Sequence, residues 1–460
     1  MDRRRVVAAA AGLGAAFAPL AVAPGAGASI ASAPVLHVRG DFDGDGVADL
    51  AVGAPTAGQV RVVYSHLRKN ASHVVRLALG QTDTGFGTAL ATGDLNGDGY
   101  ADLAVGAPRD RVPDPQTEVR QVGAVLVYLG SATGLNATST PLTGWGGDEP
   151  ARLGDVIASG DVDGDGIDDL VTVMEVADLS YVEYYRGTPD GFETRPTQEF
   201  GTAVATSMAL GDVNGDGFLD LVTSAPQDYV DGCVQGQVVV YDGTAQHTFD
   251  TTPTLLTGTQ VGYEDLGLGL VLGDVDHDGY DDAVVGAGSW YGDPEGPGSV
   301  VWLRGGPDGL DPSPRAEVIE KDLSSHWRTD DGFGASLALT DAGLVIGTPR
   351  ARVAGHRWAG AVYAVPYGAD WVDASRARRI TQATPGVPGA VTGDARFGFS
   401  LFAARLGAAH DKVAVGVPQL ANAAPGGAVL IPVVEARLRP GRASGTFADR
   451  RGTGLGWSLG

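Results

Sequence analysis

Apolar residues in this chain come in short runs of about five, and each run ends at glycine, proline or a cluster of aspartates. Three kinds of run recur in fixed order. The first has the form Phe86-Gly87-Thr-Ala-Leu90, Leu153-Gly154-Asp-Val-Ile157 or Leu266-Gly267-Leu-Gly-Leu270. The second reads Leu103-Ala-Val-Gly-Ala-Pro108 or Leu221-Val-Thr-Ser-Ala-Pro226. The third reads Gly123-Ala-Val-Leu-Val-Tyr128, Gly236-Gln-Val-Val-Val-Tyr241 or Gly298-Ser-Val-Val-Trp-Leu303. A turn, Gly130-Ser-Ala-Thr-Gly134-Leu135, repeated at 187–192 and 305–310, leads to a weaker fourth run. Runs this short, punctuated by turn residues, predict strands. No apolar pattern of helical period is sustained beyond the N-terminus. The unit is therefore four strands.

Between the first and second runs of five units lies a nine-residue pattern, Asp-x-(Asp/Asn)-x-Asp-Gly-x-x-Asp. It occupies 41–49, 94–102, 161–169, 212–220 and 274–282, with starts 53, 67, 51 and 62 residues apart. Oxygen side chains at alternate positions, with a glycine for a sharp turn, suit Ca²⁺, which takes six to eight oxygens at roughly 2.3–2.6 Å. Side chains at positions 1, 3, 5 and 9 and the carbonyl at position 7 can surround one cation. The predicted ligands are Asp41, Asp43, Asp45, Val47 and Asp49 in loop one, and Asp94, Asn96, Asp98, Tyr100 and Asp102 in loop two. Loop three supplies Asp161, Asp163, Asp165, Ile167 and Asp169; loop four, Asp212, Asn214, Asp216, Phe218 and Asp220; loop five, Asp274, Asp276, Asp278, Tyr280 and Asp282. Three or four carboxylates per loop favour Ca²⁺ over Mg²⁺, which keeps more water in a stricter octahedron. An EF-hand would need Glu at position 12, where this chain has Val52, Val105, Thr172, Thr223 and Val285. About five structural Ca²⁺ are expected.

Two further units lack the acidic loop. One runs from Phe333-Gly334 through Leu344-Val-Ile-Gly-Thr-Pro349 to Gly360-Ala-Val-Tyr363, the other from Phe397-Gly398 through Val413-Ala-Val-Gly-Val-Pro418 to Gly426-Gly-Ala-Val-Leu430. Seven four-stranded units of about sixty residues describe an all-β, seven-bladed β-propeller. An open solenoid is the competing architecture, but it would need polar caps at both ends. Leu455-Gly456-Trp-Ser-Leu459 has the form of a first strand and could complete the N-terminal unit, closing the ring and covering a sheet edge. Val35 to Val38 competes for that place.

Phe-Gly followed by Gly-Ala-Pro around a short acidic loop resembles the FG-GAP repeat, as in the seven-bladed propeller of integrin α-subunits. The chain is also similar to secreted bacterial proteins built from such repeats. The resemblance spans essentially all of 29–460, with three departures: Ala205 replaces the motif glycine of unit four, His277 stands where the other four loops have Gly, and units six and seven lack the metal loop. It implies calcium-bound loops, and a ligand face formed by the strand two-to-three and four-to-one connections. No counterpart of the integrin leg domains or membrane helix is expected.

Composition narrows the setting. Asp2-Arg3-Arg4-Arg5 precedes a soft apolar stretch, Val6 to Ala23, and Ala26-Gly27-Ala28 offers a cleavage site, so 1–28 reads as a signal peptide and the mature chain as secreted. A membrane anchor is the alternative; low leucine content with Gly12, Gly14 and Pro19 favours cleavage. Sec and twin-arginine export both remain open. No second run of spanning length follows. Cys233 is the single cysteine, so no intrachain disulfide forms. From Ser29 on, 55 acids face 29 bases, a net of −26. That surface excludes nucleic acid as a partner, and a monomer is expected.

The long connections at the non-calcium ends of the strands carry Trp145, Tyr229, Trp290, Tyr291, Trp327 and Trp358. Aromatic rings with a wet edge are frequent at recognition surfaces. Arg350, Arg352 and Arg357 precede Trp358 in sequence and make the densest basic cluster on an acidic protein. These nine residues are the candidate ligand contacts, for a protein or glycan outside the cell; rings that only cover their own loop bases are the plainer alternative. No catalytic motif is present: no Gly-x-Ser-x-Gly, no His-Glu-x-x-His and no phosphate loop. A secreted hydrolase or lyase using the propeller face or channel is the alternative function, and catalysis is left open.

Overall fold

A computed structural model describes residues 40–64, 72–76, 85–114, 118–142, 150–176, 179–226, 229–230, 233–234, 236–263, 265–288, 297–368, 371–404, 412–418 and 427–432. Contacts divide the chain into Met1–Ala31 and Ser32–Gly460, and every described element belongs to the second unit. The expected signal peptide, 1–28, and both candidate closing strands, 35–38 and 455–459, lie outside the described residues.

The fold is all-β. Among the described residues there are five four-stranded antiparallel sheets and two three-stranded ones, beside short hairpins. Sheet one is Leu50–Ala54, Gln59–Val63 and Ser72–Arg76, which are strands two to four of the first unit as the sequence predicts. Sheet two orders Leu90–Gly93, Asp102–Gly106, Val125–Tyr128 and Thr140–Leu142. Sheets three to six repeat that up-and-down order, and sheet seven comprises Leu401–Ala404, Lys412–Val417 and Gly427–Pro432. The only α-helices described are single turns, Gly258–Val261 and Glu320–Leu323. The first of these has a Thr257–Gln260 capping box.

The second strands are continuous apolar runs because both of their faces are buried. Successive side chains of a strand point to opposite faces. Leu103 and Val105 pack toward sheet one while Ala104 packs toward sheet three. Ala283 and Val285 likewise face sheet four while Val284 faces sheet six. The apolar core is accordingly a series of layers, one between each pair of consecutive sheets.

Two expectations change in detail. The Phe-Gly pairs of units two and six are turns, and the first strand starts only at Leu90 and Ser336. Two connections read as loops contain their own ribbons, Arg111–Asp114 with Glu118–Gln121 and Tyr229–Val230 with Cys233–Val234. A long excursion from a sheet exposes backbone polar groups, and a hairpin satisfies them locally.

Candidate functional site

Each acidic loop joins the first strand of its unit to the second and folds around its own carboxylates; in unit one the first strand lies outside the described residues. The position-1 aspartate accepts from the amides of positions 5 and 6: Asp94 Oδ1 from Asp98 N at 3.0 Å and Asp94 Oδ2 from Gly99 N at 2.8 Å. The same pair recurs at Asp41, Asp161, Asp212 and Asp274. Position 5 accepts through Oδ1 from the amide of position 7, at 2.9–3.1 Å in all five loops. These turns demand left-handed backbone. Position-6 glycines have φ between 82° and 94°, and position 4 has Gly44, Gly97, Gly164, Gly215 and His277 at 60–75°.

The position-9 aspartates, Asp49, Asp102, Asp169, Asp220 and Asp282, are fully buried. Each takes the amide of position 2 on Oδ2, as Asp102 does from Leu95 at 2.9 Å. In loops two to five, Oδ1 takes the amide of the glycine that follows strand three: Gly130, Gly187, Gly243 or Gly305, at 2.7–2.8 Å. One carboxylate thus ties three strands. Burial pushes Asp102 and Asp220 up to about 7 and Asp169 up to about 6, each offset in part by those amide bonds. A dication beside these groups would reverse the shift by favouring the charged form.

Loops of neighbouring units interlock. The amide of position 8 donates to the position-1 carbonyl of the loop before it: Ala101 to Asp41 at 3.1 Å, Asp168 to Asp94 at 2.9 Å, Asp281 to Asp212 at 2.8 Å. Asp168 and Asp281 also accept, on Oδ2, the amides of Asp94 and Asp212. Tyr100 and Tyr280 pack over Gly44 and Gly215, where a Cβ would meet the rings at 2.6 and 2.4 Å. His277 takes position 4 of loop five at φ 60°, in the same left-handed region as the glycines of the other four loops.

The residues suit a hard cation. Carboxylate oxygens of Asp41, Asp43 and Asp45, of Asp161, Asp163 and Asp169, and of Asp274, Asp276 and Asp282 lie within 4.8 Å of one another in each set. That is twice a Ca²⁺–oxygen distance, and the donors are all oxygens. Loops two and four carry Asn at position 3 and keep the same backbone frame.

Arg186 and Arg304 were not singled out by their type, yet both reach the acidic loops. Arg186 pairs with Asp163 through Nε and with Asp165 through Nη2 at 2.9 Å. Arg304 pairs with Asp276 at 2.7 Å and Asp278 at 2.5 Å. Both stand directly before the turn glycine in aligned repeats, Arg186-Gly187 and Arg304-Gly305, and that register is the signal that could have found them.

Of the candidate ligand contacts, Trp145, Trp290 and Tyr291 lie outside the described residues. Tyr229 is in the Tyr229–Val230 ribbon. Trp327 is 36 % exposed, in the connection between Glu320–Leu323 and Ser336–Thr340. Trp358 has φ 52°, and two guanidinium groups lie over its ring, Arg357 at 5.2 Å and Arg396 at 5.4 Å from the centroid. Arg352 and Arg357 are exposed and Arg350 half-buried; the Arg352 carbonyl accepts from Arg379. Arg379 and Arg396, from other parts of the chain, enlarge the basic cluster beyond its sequence neighbours.

Fold and loops together define a β-sheet repeat protein with acidic inter-strand loops, and comparison with known families agrees. The FG-GAP repeat is matched over residues 86–128 and the FG-GAP-like repeat over 41–105 and 161–223. Human integrin alpha-IIb is 32 % identical over 209 residues, 40 % of this chain and 19 % of that protein. Chicken integrin alpha-V is 29 % identical over 257 residues, 54 % of this chain and 19 % of its own length. Integrin alpha pat-2 of Caenorhabditis briggsae is 31 % identical over 211 residues, 40 % of this chain and 17 % of that protein. The chain carries FG-GAP repeats and is similar to the N-terminal part of integrin α-subunits, and its match spans less than a fifth of these relatives. Among the described residues, no helix is long and apolar enough to cross a membrane.

Proposed function

We propose that this protein is a secreted recognition module: a closed, seven-bladed propeller whose five acidic loops bind structural Ca²⁺ and whose opposite loops hold an extracellular protein or glycan. The observation that carries the metal part is the convergence of carboxylate oxygens within 4.8 Å in loops built only of oxygen donors. The seven described sheets, each packed on the next in chain order, support seven blades. Similarity to integrin α-subunits supports the adhesive role. Uncompensated, three or four clustered carboxylates repel; Ca²⁺ removes that repulsion and locks strand one to strand two. Ligand contact falls to Trp358 and Trp327 with Arg350, Arg352 and Arg357, joined by Trp145, Tyr229, Trp290 and Tyr291. Guanidinium groups held over an aromatic ring are suited to acidic groups on a ligand. Probing a glycan and protein array in Ca²⁺ and in EDTA tests the reading. A reproducible ligand captured in Ca²⁺ is the expected result, and an array with no binder in either buffer counts against recognition.

A further inference from the structure

The loop amides leave particular oxygens for a cation, and in two loops an arginine already holds them. In loops three and five, position 1 has both oxygens on backbone amides and position 5 has Oδ1 on one. Oδ2 of positions 3 and 5 accepts no loop amide in either loop, although Asp163 itself is buried, and Asp276 Oδ1 is also left without one. Those Oδ2 atoms are the ones that Arg186 grips in Asp163 and Asp165, and that Arg304 grips in Asp276 and Asp278. The planar fork of a guanidinium suits two neighbouring carboxylates as an ammonium does not.

The residue one step past strand three differs with the loop it serves. Loops three and five, with Asp163 and Asp276 at position 3, have Arg186 and Arg304 there. Loops two and four, with Asn96 and Asn214, have Leu129 and Asp242. In loop two the Asn96 amide donates to Asp98 Oδ2 at 3.1 Å, a contact that a rotation releases, with no resident charge to expel. An arginine past strand three therefore accompanies Asp at position 3 in loops three and five but not in loop one, where Asp43 has Tyr64 at the corresponding place.

We propose that Arg186 and Arg304 are resident counter-cations of loops three and five, which hold these loops in shape without metal and make them bind Ca²⁺ more weakly than loops two and four. The inference rests on the calcium reading of the loops. Calcium entering loop three must share or displace a guanidinium, and a positive charge within a few ångströms opposes a dication directly.

The test uses the full chain and Ca²⁺ alone, followed by titration calorimetry and by melting in EDTA. Wild-type protein should show two affinity classes. Arg186→Leu with Arg304→Leu should tighten two sites by about tenfold, the scale expected for removing one nearby unit charge from a dication, and should lower the melting point in EDTA more than in Ca²⁺. Asp242→Arg, at an exposed position, should move loop four into the weak class and keeps the test open if the leucine variants fold poorly. Affinities unchanged or weakened in the leucine variants would overturn the inference while leaving the calcium reading intact. Absence of Ca²⁺ binding in every variant and the wild type would remove the calcium reading itself.

Discussion

A methyl group placed on Gly106 would come within 2.0 Å of the carbonyl oxygen of Gly154. Gly106 belongs to the Gly-Ala-Pro of unit two and Gly154 to the first-run glycine of unit three, so the two halves of the repeat motif meet across a sheet interface. The pairs Gly53 with Gly87, Gly286 with Gly334 and Gly347 with Gly398 repeat it at 2.2–2.3 Å. Two junctions lack the glycine pair, and the one between sheets three and four accounts for the departure at Ala205. Val173 occupies the Gly106 position there, and Val173 and Ala205 share one buried apolar cluster. At the next junction the Ser224 hydroxyl donates to the Gly267 carbonyl at 2.9 Å.

Gly106→Ala should therefore destabilise the protein by about 2–3 kcal/mol, because backbone on both sides must move. Gly306→Ala, where nothing lies within 4 Å of the new Cβ, should stay within about 0.5 kcal/mol. Urea melts of the two variants provide the comparison, and equal costs would contradict the packing argument.

Removing Ca²⁺ should lower the melting temperature by many degrees. A site that binds only the native state adds about 2.7 kcal/mol at a hundredfold excess over Kd. Asp98→Ala should reproduce part of the loss, since Asp98 offers a ligand oxygen and also accepts the Tyr100 amide. Protein verified as metal-loaded that melts identically in EDTA would show the loops to be ornamental.

A buried acid pair outside the acidic loops sets a pH dependence. Burial first, and then the charge of Asp331, pushes Glu320 up to about 8; burial and then Asp330 push Asp331 up to about 7. Glu320 Oε1 accepts from Tyr363, while its Oε2 and both Asp331 oxygens have no hydrogen-bond donor. Arg379 and Arg328 offset part of the repulsion. Folded-state values raised above the ordinary 4.5 and 3.8 mean that the folded protein holds these protons more tightly. Their contribution is full below pH about 4 and is lost as pH rises through about 8, with a slope of at most about 1.4 kcal/mol per pH unit per proton. In excess Ca²⁺, stability should fall between pH 5 and 8 by this amount, and Glu320→Gln should flatten the profile. A wild-type profile already flat over that window would contradict it.

Once a ligand is identified, Trp358→Ala should weaken binding at least about tenfold, as loss of an aromatic anchor commonly does, while the calcium-dependent melt is preserved. Substitutions in the calcium turns that abolish binding in a folded protein would put the ligand on the other face.

By itself the sequence determined the strands, their four-part order and the acidic loops. Each rests on local chemistry: short apolar runs ended by turn residues, glycine at positive φ, and carboxylates at odd positions. Tertiary structure decided what depends on neighbours. The buried position-9 aspartate ties the turn after strand three because antiparallel pairing brings Gly130 beside Asp102, residues 28 apart. Asp168 reaches Asp94 because consecutive sheets stack, across 74 residues. Arg186 and Arg304 face their own loops because antiparallel pairing within each sheet sets the end of strand three beside the start of strand two, and Trp358 meets Arg396 only because the sixth unit's connection folds against the seventh unit's entry. One-dimensional spacing reports what a strand or turn needs for itself, whereas contacts between sheets depend on how their faces stack.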